Sequence, residues 1–149
     1  MLFRSKLNSF EIFNAALVNT GSKYSPEVAI PAILEEFKQK DAEFVRLGNT
    51  IFLLHKGKDG KGFFKAYNAD VPRNFLENSR KFVVIAFRKF KMDYLVTEFQ
   101  GQGIEKLFYA ISRNPPMPGM GYKVYKGEKT GTTRIVLKLG DRKKNGRSR

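Results

Sequence analysis

Residues 72–91, PRNFLENSRKFVVIAFRKFK, form the segment that most narrows what this chain can fold into. At about 100° per residue, Phe75, Leu76, Phe82, Val83, Ala86, Phe87 and Phe90 fall on one face, the pattern of a long amphipathic helix with one side to bury. The opposite side carries Arg73, Arg80, Lys81, Arg88 and Lys91 within a sector of about 100°, interrupted among apolar residues by Val84 alone. That basic stripe is a candidate phosphate-facing surface.

The texture on either side of this helix is different. Upstream, Phe44 to Leu47, Thr50 to Leu54 and Phe63 to Tyr67 read as strands, separated by Gly48-Asn49 and by the Asp59-Gly60 turn signal, which gives a three-stranded antiparallel meander. Before the meander, Asn8 and Glu11 have capping-box spacing and open a helix over 9–19 with Phe10, Phe13, Ala16 and Leu17 as its apolar pattern. Ser25-Pro26 starts a second helix over 26–40, with Val28, Ile33, Leu34 and Phe37 expected inward and Pro31 as a kink. Downstream come a strand at 94–99, a Gly101-Gln102-Gly103 turn and a helix at 104–112 with Leu107, Phe108 and Ile111 inward. A Pro/Gly/Met-rich loop at 115–121 and two strands at 122–126 and 132–139 complete the order, and 2–6 is a candidate first strand.

The order is (β)ααβββαβαββ. A helix linking the meander to a further strand forces a crossover, so the expected class is α/β (α+β), a mixed, mainly antiparallel sheet flanked by helices. At 149 residues, 42% hydrophobic and 13% aromatic, the chain can bury one core, which places a single domain at 1–140 and a basic tail at 141–149.

Cysteine is absent, which excludes disulfides, thiolate metal sites and a cysteine nucleophile. With one histidine, His55, no metal site is expected. No apolar run approaches the ~18 residues of a membrane span, so an aqueous, cytoplasmic setting is expected, with a virion as the alternative. The net charge of +14 is uneven: residues 1–71 hold ten bases and eight acids, and 72–149 hold eighteen and six, or +2 and +12. This asymmetry points to nucleic acid or another polyanion as partner. Arg142, Lys143, Lys144, Arg147 and Arg149 of the tail join the helix stripe as candidate nucleic-acid contacts.

The element order, with the Leu107-Phe108 pair in the last helix, resembles the Gcn5-related N-acetyltransferase (GNAT) fold over essentially the whole chain. It is most similar to the small acetyltransferase-like internal virion proteins of short-tailed bacteriophages, which implies virion proteins as further partners. The resemblance also implies acetyl-CoA, held by a Q/R-x-x-G-x-G/A loop before the long helix. Here that junction reads Asn68-Ala69-Asp70-Val71-Pro72-Arg73, with no glycine and with a carboxylate whose repulsion of a pyrophosphate is on the order of a few kcal/mol. The reading therefore leans away from an enzyme and toward no cofactor. Should acetyl transfer survive, Glu98 and Tyr109 are the candidate base and acid, and Gly101 and Gly103 the candidate phosphate loop. The alternatives are an active N-acetyltransferase with a divergent loop, and a protein-binding module or host-factor inhibitor that uses the loop at 115–121 as an apolar contact.

Overall fold

The structure is a computed structural model and describes residues 6–19, 23–100, 103–127 and 132–139. In chain order these form α1 Ser9–Asn19, α2 Pro26–Phe37, β1 Ala42–Leu47, β2 Thr50–Lys56, a 3-10 turn at Lys58–Gly60, β3 Lys61–Asn68, α3 Pro72–Arg88, β4 Tyr94–Gln100, α4 Gly103–Arg113, β5 Gly121–Lys126 and β6 Thr132–Lys138. The strands make one six-stranded sheet in the order β1-β2-β3-β4-β6-β5. Every neighbouring pair is antiparallel except β3 with β4, the pair that α3 joins. The expected mixed sheet flanked by helices is thus the architecture. Of the candidate strand at 2–6 only Lys6 is described, outside any strand, and the tail at 141–149 lies outside the described residues.

Local chemistry sets the element ends. The Asn8 amide donates to Glu11 Oε1 and the Glu11 amide to Asn8 Oδ1, both at 2.8 Å, so the capping box closes reciprocally at the start of α1. Asp59 and Gly60 both take positive φ, 62° and 74°, as a tight hairpin between twisted strands demands. Helix α3 ends at Arg88, earlier than the sequence pattern suggests. Lys91 adopts the left-handed conformation at φ 61°, and the Met92 amide returns to the Ala86 carbonyl at 3.1 Å, which closes the helix end. Helix α2 ends at Phe37 and not at 40, because the Lys38 and Gln39 amides tighten onto the carbonyls three residues back, each at 3.2 Å.

The two faces of the sheet carry separate cores. On one, α3 and α4 bring Phe82, Val83, Ala86, Phe87, Phe108 and Ile111 against Phe52, Leu54, Phe64, Leu95, Ile135 and Leu137. On the other, Ile12 and Phe13 of α1 and Ile30 and Ile33 of α2 pack on Ile51, with Phe37 and Tyr67 alongside. Two inward expectations fail, since Val28 and Leu34 are exposed, and Phe10 of the α1 apolar pattern is exposed as well. The buried stripe of α2 runs through Ile30, Ile33 and Phe37, which leaves Val28 about 200° from Ile30 around the helix. The loop at 115–121 also behaves differently from an apolar contact loop, since it turns Met117 into the α3–α4 core and packs Met120 against it. Among the described residues no helix is long and apolar enough to cross a membrane.

Candidate functional site

Strands β3 and β4 pair over three positions only, Lys61 with Tyr94, Gly62 with Leu95 and Phe63 with Val96. Past these pairs the strands part, and each runs toward the N-terminus of a helix, α3 or α4, so the fork opens at the carboxyl end of the parallel pair. Crevices of this kind are where open α/β sheets place ligands. Gly62 packs tightly at the closed end, where a Cβ would stand 2.8 Å from Leu54 Cδ1 and 2.9 Å from Met92 Sδ. At the opening, Phe108 of α4 bridges the strands, its ring 6.0 Å from Phe64 on β3 and 6.4 Å from Phe99 on β4.

The β3–α3 junction is tied down by a polar network. Asp70 Oδ2 accepts the Asn49 amide at 2.8 Å and Asn78 Nδ2 at 2.9 Å, and Asp70 Oδ1 accepts Asn49 Nδ2 at 3.3 Å. Asn68 Oδ1 accepts Thr50 Oγ1 at 2.7 Å and the Asp70 amide at 3.0 Å, while Asn78 Nδ2 also donates to Thr50 Oγ1 at 3.1 Å. Arg46 reaches in from β1, donating to Asn49 Oδ1 at 3.1 Å and to the Leu7 carbonyl. Gly48, at φ 58°, leaves room for this, because a Cβ there would lie 2.9 Å from Asp70 Oδ2. The network joins the β1–β2 turn, the junction and the second turn of α3, and no buried side-chain nitrogen or oxygen among the described residues lacks a partner. Helix α3 itself starts with Pro72, which has no N–H, behind an N-cap Val71 without a side-chain cap. These residues do not match a pyrophosphate loop: no glycine admits the ligand, and a carboxylate stands at the helix start.

The acid–base candidates are kept apart. Glu98 accepts Thr132 Oγ1 at 2.8 Å and Arg134 Nε at 3.3 Å. By strand alternation it points to the face opposite Phe99, the ring that meets α4. Tyr109 lies on α4 and is exposed, with the Arg113 guanidinium 5.7 Å over its ring. Gly103 opens α4, and Gly101 lies outside the described residues. His55 has a partner invisible in the sequence, with Nε2 3.4 Å from Glu36 Oε2, which also takes Lys65 Nζ at 2.8 Å. Burial, and secondarily the Glu36 charge, pushes the Tyr67 phenol up to about 12.

The basic stripe is only partly assembled. Arg73, Lys81 and Arg88 are exposed on α3. Arg80 is half-buried and donates to the Asn114 carbonyl beyond the end of α4, and so serves helix packing. Lys91 is exposed but stands past the helix, and exposed Glu77 falls in the same sector as the bases. Arg142, Lys143, Lys144, Arg147 and Arg149 lie outside the described residues. Sequence reading missed Asn49, Asn78 and Gly48. The available signal was Asn78-Ser79, two polar residues breaking the apolar face of α3, both of which are buried.

No protein-family model matches the chain, and no curated protein does. Solved structures do. The N-acetyltransferase PseH of Campylobacter jejuni superposes with a TM-score of 0.56 at 16% identity, covering 91% of this chain and 94% of its own. A GNAT-family acetyltransferase of Staphylococcus aureus gives a TM-score of 0.56 at 11% identity over 89% and 95%, respectively. A point mutant of the spermidine N-acetyltransferase SpeG of Vibrio cholerae gives 0.55 at 8% over 91% and 94%. Such identities speak to architecture and not to chemistry. With its forked parallel pair inside a mixed six-stranded sheet, this chain has the GNAT acetyltransferase fold.

Proposed function

We propose that this chain is an acetyltransferase-like protein that does not hold acetyl-CoA in the manner of that fold and acts by binding nucleic acid. The observation that carries this reading is the Asp70 carboxylate, held by Asn49 and Asn78 at the start of α3, where a bound pyrophosphate needs bare amides. The net charge of +14 supplies the attraction, and Arg73, Lys81 and Arg88 of α3 supply exposed contacts. In a short-tailed phage this binding suits packing within a virion nucleoprotein assembly, and mass spectrometry of purified particles tests that setting.

The binding test is duplex affinity against salt. Each phosphate contact contributes about −0.9 to the log-log slope, so the double variant Lys81→Ala/Arg88→Ala should flatten it by about 2. An unchanged slope removes α3 from the interface, and absence of any duplex binding removes nucleic acid as partner. A second reading, an active N-acetyltransferase with a divergent loop, is favoured by the parting of β3 and β4 beyond Phe63 and Val96.

A further inference from the structure

The helical layers cover the sheet unequally. The α1–α2 core draws its strand residues from the β1–β3 half, with Ile51 and Tyr67 as its floor. On the same face, register fixes what the other half presents. Lys61, Tyr94 and Lys138 form one row, Phe63, Val96, Val136 and Lys123 the next, and Glu98, Arg134 and Tyr125 a third. A depression of about 390 Å³ sinks between Lys61, Phe63, Tyr94, Val96, Arg134 and Val136. Phe63 is 42% exposed and Tyr125 48%.

We propose that this half of the sheet face is a single-stranded nucleic-acid site, with bases stacking on Phe63, Tyr94 and Tyr125 and the neighbouring lysines meeting the phosphates. Two features point the same way. Exposed rings offer π-faces to unpaired bases, which a duplex keeps stacked inside itself. The charge is complementary, since among the described residues of these rows Lys61, Lys123, Arg134 and Lys138 surround the rings against one carboxylate, Glu98, which pairs with Arg134 at 3.3 Å. Ring and cation are already adjacent: Lys61 Nζ lies 6.0 Å from the Phe63 centroid and Lys138 Nζ 5.5 Å from that of Tyr94. Phe63 and Tyr94 sit one strand and two residues apart, about 8 Å at standard sheet spacings, so one flexible strand can reach both. Lysines on the edge strand β5 also discourage edge-to-edge pairing, a role that requires no exposed aromatics on the face.

The ligand class rests on the polyanion reading above, but the surface is separate from α3, which packs on the opposite face. Fluorescence anisotropy with a labelled oligo-dT of about 12 nucleotides, a length within known single-strand site sizes, tests the inference. The double variant Phe63→Leu/Tyr125→Leu keeps apolar bulk and removes two π-faces, so oligo-dT affinity should fall at least about tenfold while duplex affinity holds. For the wild-type protein, an abasic strand of equal length and charge should bind more weakly than oligo-dT, a comparison that needs no variant to fold. Equal binding of the abasic strand, or wild-type affinity in the double variant, overturns the inference. Duplex binding without oligo-dT binding overturns it and leaves the α3 reading standing, and binding of neither defeats both.

Discussion

The two halves of this sheet obey different physical rules. In β2, Thr50 through Leu54 are all buried, because α1 and α2 lie over one face and α3 over the other. In β5, at the far edge, Tyr122 alone is half-buried and the other five residues are exposed. A strand covered on both faces reads as a continuous apolar run, Ile51-Phe52-Leu53-Leu54, whereas a strand covered on one face at most keeps alternation and charge. The contrast leaves one face of the β4–β6–β5 half to solvent, while its other face shares the α3–α4 core through Leu95, Ile135 and Leu137.

Truncation should separate the halves most sharply. Phe82 is fully buried and stacks on Phe52 at 4.4 Å, so Phe82→Ala should cost about 3–5 kcal/mol in urea unfolding. Tyr125→Ala in the open half should stay within about 0.5 kcal/mol, as surface substitutions do. Comparable losses at the two positions would erase the distinction. A smaller effect is expected where the covered half is tied to α3: Asp70→Ala leaves the Asn49 and Asn78 donors short of an acceptor, at a cost of about 1–3 kcal/mol with an unchanged denaturant slope. A further effect concerns alkaline pH. Tyr67 holds its proton to about 12 in the folded chain, against about 10 when unfolded, so the unfolded state binds fewer protons in that window and stability falls as pH rises through it. Tyr67→Phe should flatten that fall, and an unaltered alkaline profile would mean the phenol is better solvated than its packing implies.

Much of the fold was legible because it is written in local periodicity. The α3 face, the Asp59-Gly60 hairpin and the Asn8/Glu11 box each act within a few residues. What was hidden depends on tertiary partners. Nothing local shows that Arg80 reaches Asn114, that His55 meets Glu36, or that Met117 enters the core. The exposure of Val28 and Leu34 was hidden for a related reason: α2 has apolar residues around most of its circumference, and the position of α1 and β2 decides which are covered. At the site, the missing glycines at 68–73 were visible in the sequence, but the reason was not. Asp70 serves a network whose members distant in sequence come from Leu7, from residues 46–50 and from Asn78.

The halves meet at the fork between β3 and β4, and the proposal above has the junction beside it serving structure instead of cofactor. Titration calorimetry with acetyl-CoA, repeated with inorganic polyphosphate as competitor, tests this most directly. The expected result is either no saturable heat or weak, salt-sensitive binding that polyphosphate displaces. A dissociation constant in the low micromolar range that persists with polyphosphate present would contradict the claim and return the chain to the acetyltransferases as a working enzyme candidate.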